Sequence, residues 1–481
     1  LSLSLCPFLY LSCLLSRTAS PSLSPVSLPL CPARLLSRPA SPSVPPLSLY
    51  ISLPPVSLYL SPSLPSVPPH RSFHLLNSYS LLPRSTRILL LFLNRRRYLI
   101  VRVLSIVSYF FSFPTAQTAM ASGMLRSFLL VVLVFGLFDY SAAILPLEYV
   151  EIKKGDFSVK CTNWGATILS VVLPDAQGNL ADVVLGFDTT KTIAQYVNST
   201  TYFGALVGRV ANRVDDSTFT LKGRRYRLFP NDGKNSLHGG HRGYSKVMWN
   251  VEEKDLDGPH PYVKFHYHSF DGEQGFPGDL HVQVTYKIIG DYMLSVTMHA
   301  EPVDKATPVN LAQHTYWNLG GHDSGTILNN TVQIFASHIT PVDKNLIPTG
   351  EITPVTGTPF DFRRPSTVGS RIEEAGGYDI NYVLHSPTDK YGVRKAAVVK
   401  DSRSGRVLEL WTNQLGVQFY TSNMLNDTVG KGGYVYGQHA ALCLETQGFP
   451  DSVNHPNFPS QIVNPGETYH HYMLFKFSVH K

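Results

Sequence analysis

Over residues 147–481 the chain is a succession of short strand-like runs cut by turns, with no long amphipathic helical pattern between them. EYVEIKK, FSVKCTN, ATILSVVLP, TFTLKGRRYRL, PYVKFHYHS, LHVQVTYKII and YMLSVTMHA alternate or run apolar, and Gly, Pro, Asp and Asn punctuate them. Parallel strands need long, usually helical, crossovers, so this text argues against a βαβ sheet. It predicts an all-β domain, an antiparallel sandwich or barrel. No repeat of fixed period is visible, which argues against a propeller.

The residues before 147 obey different rules. The whole chain of 481 residues has a formal net charge of +7, which taken alone suggests a nucleic-acid or membrane partner. Residues 1–119 hold ten Arg, no Lys and no acid, so the other residues carry 31 basic against 34 acidic groups, a net of −3. The positive charge therefore belongs to one Leu-, Ser- and Pro-rich segment, and no nucleic-acid partner is expected. Its frequent prolines break helices and central strands. We read 1–119 as a non-globular leader, carried in by a gene-model error ahead of the first methionine, Met120.

Residues 120–143 have a basic start at Arg126, an apolar run over 128–138, and small residues Ser141 and Ala143 before Ile144. That is the layout of a secretory signal peptide. N-x-S/T triplets at Asn198, Asn329 and Asn426 agree with secretion; a cytoplasmic protein is the alternative. No membrane association is expected once the signal is removed, and a monomer is the default. Only Cys161 and Cys443 lie in 147–481, and their spacing leaves a disulfide open.

There is no GxxxxGK[ST], no GxGxxG after a strand, no GxSxG and no HEXXH. His238 with His241, His266 with His268, and His470 with His471 are close pairs. In HYH the alternation of a strand puts both imidazoles on one face. No third ligand lies nearby in sequence and half-buried sheet histidines are common, so no metal is expected. What remains is a set of polar clusters in apolar text: GRVANR, NSLHGG, NLAQHTYWNL, GGYDINY, GVQFYTSN and CLETQGFPD. Each sets a hydrogen-bonding or titratable group beside glycines or aromatics. Sugars need that combination, because hydroxyls take planar polar partners and pyranose rings take an apolar wall.

In this order and spacing the six clusters resemble the aldose 1-epimerase (galactose mutarotase) family over essentially all of 147–481. The resemblance implies a large antiparallel β-sandwich with a concave sugar cleft, a small-molecule aldose as partner and no cofactor. It implies His314 as proton donor and Glu445 as proton acceptor. It also implies Asn212, Arg213 and His238 as sugar contacts, and Tyr316, with Thr315 beside it, as part of the site lining. Asp379 would grip sugar hydroxyls and Gln418 would add a last polar contact. Ile380 stands where many relatives carry His, which bears on substrate preference.

Two other functions are weighed. A hexose 6-phosphate epimerase would need a basic cluster, for which Arg224, Arg225 and Arg227 are candidates. A non-catalytic sugar-binding protein would need no acid–base pair, so His314 with Glu445 argues against it.

Overall fold

In the strand Leu280–Gly290 every second side chain, from Leu280 to Ile288, is buried. Successive side chains point to opposite faces, so the pattern buries one face of a sheet and wets the other. The computed structural model describes residues 146–188 and 193–480. The leader 1–119 and the signal segment 120–143 lie outside the described residues.

Leu280–Gly290 belongs to a nine-stranded sheet. Its order is Asn250–Asp255, Tyr262–Ser269, Leu280–Gly290, Met293–Pro302, Tyr469–Val479, Arg406–Thr412, Arg394–Lys400, Thr331–Ile334 and Ser366–Thr367. A six-stranded sheet has the order Tyr316–Trp317, Leu442–Gln447, Gly416–Tyr420, Asp379–Leu384, Ala336–Thr340 and Thr353–Pro354. The pairings are antiparallel. The two sheets meet across one core, where the Trp317 ring lies 5.1 Å from Phe475. A four-stranded sheet, Tyr149–Lys154 to Leu180–Asp182, adds Val159 and Ile168 to that core. The α-helices among the described residues are Ala194–Asn198 and Ile372–Ala375. The expected antiparallel β architecture is what the chain forms.

Two local readings change. TFTLKGRRYRL is not one strand but a hairpin, Thr218–Leu221 with Arg224–Arg227. Lys222 (φ 50°) and Gly223 (φ 76°) make the turn, because a two-residue hairpin turn needs positive φ to match strand twist. Cys161 and Cys443 are free buried thiols in different apolar clusters, so no disulfide joins them. No helix among the described residues is long and apolar enough to cross a membrane.

One buried cation fastens the segment that leads into the cleft. Arg209 is 1% exposed. Its guanidinium donates to the carbonyls of Pro277 (2.8 Å), Gly278 (3.0 Å) and Ser269 (3.3 Å), and to the hydroxyls of Thr307 (3.0 Å) and Ser269 (2.6 Å). An Arg209→Met variant would strand these buried acceptors. We expect it to lose about 3 kcal/mol or more of unfolding free energy in a urea titration. A loss below ~1 kcal/mol, the net worth of one ordinary hydrogen bond, would show that Arg209 does not fasten the segment.

Candidate active site

Three neighbouring strands of the six-stranded sheet supply two acids, Asp379 and Glu445, with Gln418 between them. Val417 and Phe419 point into the core, which turns Gln418 and Tyr420 to the other face. In the ladder Gln418 lies opposite both Asn381 and Glu445, and Tyr420 lies opposite both Asp379 and Cys443. Across the cleft, His314 ends the strand Ala312–His314, which pairs with Ala205–Val207. Tyr316 follows two residues later and so shares its side. The His314 Nε2 lies 3.4 Å from Glu445 Oε1, with both side chains almost fully buried.

The other wall is built from two residues in the left-handed region, Asn212 (φ 59°) and His238 (φ 51°). Such conformations cost about 1–3 kcal/mol each and cluster at functional sites. Here each supports the other. The His238 N–H donates to the Asn212 carbonyl (2.9 Å), and the Asn212 N–H donates to His238 Nδ1 (3.2 Å). Asn212 Oδ1 accepts from the Arg213 N–H (2.8 Å). Gly239 lets the two segments close, since a Cβ there would lie 1.9 Å from the Gly208 carbonyl oxygen.

The result is a cavity of about 210 Å³, the liquid volume of roughly seven waters and so the scale of a monosaccharide. Asn212, Arg213, His238, His314, Tyr316, Asp379, Gln418 and Glu445 all line it. Thr315 does not. It faces the opposite side of the chain and donates its hydroxyl to Gln313. Gln418, expected as a sugar contact, also has a partner in the protein. Its amide donates to Asp379 Oδ1 (2.7 Å) and accepts from Gln447 (3.3 Å), so it orients the Asp379 carboxylate. Ile380 is buried in the core, so the departure at this position does not alter the cavity wall. Arg224, Arg225 and Arg227 are exposed on the hairpin and none of them lines the cavity.

Sequence reasoning missed three contributors. The His314 ring lies between Tyr316 (5.0 Å, 17°) and Tyr202 (5.7 Å, 26°). Asp232 accepts from Arg213 Nε at 2.7 Å and fixes the guanidinium. Gln447 anchors Gln418. None carries a local signal: Tyr202 follows a Ser-Thr-Thr run, Asp232 reads as a turn acid, and Gln447 stands out only as a buried amide.

Burial governs the charges. It pushes Glu445 well above the usual carboxylate value, with the Asp379 charge adding and Arg213 opposing. Asp379 is also raised by burial, against Arg213 and the Gln418 bond. Burial lowers His314 to about 4. His238 is depressed by burial, then by His314 and Arg213. Glu445 Oε2 has no hydrogen-bond partner among the described residues, so one carboxylate oxygen is left for a ligand.

His238, His314 and Glu445 each offer a possible ligand atom within 4.8 Å of the others, a donor set that suits zinc. The hydrogen bonding opposes ligation. A ligating imidazole donates its second N–H to an acceptor. His238 Nδ1 instead accepts from Asn212, which leaves the neutral ring's proton on Nε2, as a donor.

An aldose 1-epimerase family profile matches residues 148–476. A galactose mutarotase from Sus scrofa is 44% identical over 349 residues, covering 72% of this chain and 98% of that protein. An aldose 1-epimerase from Escherichia coli (strain K12) is 35% identical, covering 66% and 91% respectively. The solved structure of an aldose epimerase homologue from C. elegans superposes with a TM-score of 0.64 at 30% identity, covering 70% of this chain and all of that one.

The depressed His314 has a direct spectroscopic consequence. Its imidazole should remain neutral through pH 6.5 and gain its proton near pH 4 in an NMR titration of the sugar-free protein. A midpoint at the ordinary value of 6.5 would show that burial does not control this group.

Proposed function

Because the chain belongs to the aldose 1-epimerase family, we propose that His314 and Glu445 carry its reaction as an acid–base pair. The chain is an isomerase that interconverts the α and β anomers of free aldohexoses such as glucose and galactose. The observation that carries the residue assignment is the 3.4 Å approach of His314 to Glu445 in a cavity lined by sugar-gripping groups.

Ring opening moves two protons. Glu445 takes the proton from the C1 hydroxyl while His314 delivers one to the ring oxygen. The C1–O5 bond breaks as the C1 carbonyl forms. The aldehyde rotates about C1–C2, and O5 attacks its other face. The O5 proton returns to His314, and Glu445 protonates the oxygen at C1. No electrons leave the sugar, so the chemistry requires no redox cofactor. In the sugar-free cleft burial favours the neutral carboxyl and the neutral imidazole, so a proton held by the pair sits on the carboxyl. The sugar hydroxyls and the Arg213 charge favour its transfer to His314, leaving the carboxylate as base. Asp379 and Arg213 hold the remaining hydroxyls, and Asn212 and His238 close the other side, so that C1 meets the pair in one pose. The exposed positions of Arg224, Arg225 and Arg227 favour a free sugar over a 6-phosphate.

The reading extends to location. The 120–143 segment and the exposure of Asn198, Asn329 and Asn426 support a secreted enzyme. Mass spectrometry of the mature protein should find Ile144 at the N-terminus. An N-terminus at Met120 would favour the cytoplasm, and a peptide from 1–119 would overturn the leader reading.

Polarimetry of freshly dissolved α-D-galactose tests the pair. Glu445→Gln and His314→Asn should each slow equilibration by ~10²–10⁴-fold, the usual worth of one acid–base catalyst. If either variant keeps the parent rate, that residue loses its role.

A further inference from the structure

The strands that carry His314 and Glu445 are laddered together at Tyr316 with Cys443 and at Trp317 with Leu442. His314 itself ends the strand Ala312–His314, which pairs with Ala205–Val207 instead. Beyond Tyr316, side chains link the two segments. The Asn310 amide accepts from the Gly448 N–H (2.8 Å) and donates to the Gly448 carbonyl (3.3 Å). Side chains of the strand Tyr469–Val479 grip Leu311 at both of its backbone groups. The Leu311 N–H donates to the Tyr469 hydroxyl (3.2 Å), and the Leu311 carbonyl accepts from His471 Nδ1 (3.1 Å).

His471 is the polar member of a core face that continues with Met473, Phe475 and Phe477. A carbonyl can only accept, so the bond to Leu311 puts the ring proton on Nδ1 and leaves a lone pair on Nε2. That lone pair accepts from the Thr446 hydroxyl at 2.7 Å. Thr446 lies opposite Val417 in the ladder and faces the core with it. Glu445, the residue before it, therefore points the other way, into the cavity. Burial, against the Leu311 bond, lowers the His471 imidazole to about 3, so the ring is neutral near pH 7. One ring spans from the backbone that leads to His314 to the side chain immediately behind Glu445.

We infer that His471 is a positioning residue for the reaction: it braces Thr446 against Leu311 and so fixes the spacing of Glu445 from His314. The inference rests on the acid–base reading of that pair. His471 is not among the residues that line the cavity, so it acts through the segments it joins. Asp379, Arg213 and Asn212 stand on other strands and loops, and their grip on the sugar does not pass through the brace. Its loss should therefore appear in kcat and leave KM for galactose unchanged.

The test is polarimetry over a range of α-D-galactose concentrations, with kcat counted per folded molecule from a urea titration of each variant. Thr446→Val replaces the hydroxyl by a methyl of similar size. It should lower kcat by ~10-fold or more at unchanged KM, since misplacing a catalytic group by about 1 Å costs up to ~10²-fold. Thr446→Ser, which keeps the hydroxyl, should recover the parent kcat. His471→Phe should match Thr446→Val, and the double variant should lose less than the product of the two single losses, because both break one bond. Parent kcat in folded Thr446→Val, a loss that Thr446→Ser shares, or a loss seen as a rise in KM would overturn the inference. Glu445→Gln is measured alongside. A slow Glu445→Gln with a parent-like Thr446→Val removes the brace alone, whereas a parent-like Glu445→Gln removes the pair reading and the brace with it.

Discussion

The register of Gly416–Tyr420 against its two neighbours is the constraint on which the rest of the site depends. Val417 and Phe419 are fully buried, and a slip of one residue would exchange them with Gln418 and Tyr420. The apolar core thereby enforces the pairing of Gln418 with Glu445 on one side and Asn381 on the other. Asp379, two residues from Asn381, follows on the same face. The carboxylate of Glu445, the proposed base, is placed by hydrophobic burial on the far side of its own sheet.

A second consequence of that burial is electrostatic. Two carboxylates and two imidazoles share one small, largely buried cleft with one arginine. Desolvation drives all four towards their neutral forms. Arg213, held by Asp232, and the amide chain from Gln447 through Gln418 to Asp379 oppose that drift at the acids.

Much of this was legible. Alternation predicted the sheets, since strands such as Leu280–Gly290 bury one face and wet the other, and it failed where a polar hairpin turn at Lys222 and Gly223 interrupts a run. His314, Glu445, Arg213, His238 and Asp379 were recognisable through the order of their motifs, although none carries a decisive local signature. Thr315 was misplaced because proximity in sequence was taken for proximity in the cleft, whereas adjacent residues of an extended chain face opposite ways. Tyr202, Asp232 and Gln447 were illegible because they act on other side chains, across separations of 19 to more than 100 residues in sequence.

The sequence by itself determined the class of fold and the chemical types in the site, because periodicity, turn residues and acid–base groups are local properties. Only the tertiary structure decided which of those groups lie within reach of each other and which amide orients which carboxylate. These depend on strand register and loop closure, which bring residues far apart in the chain to within a hydrogen bond of each other. No local pattern records such distances.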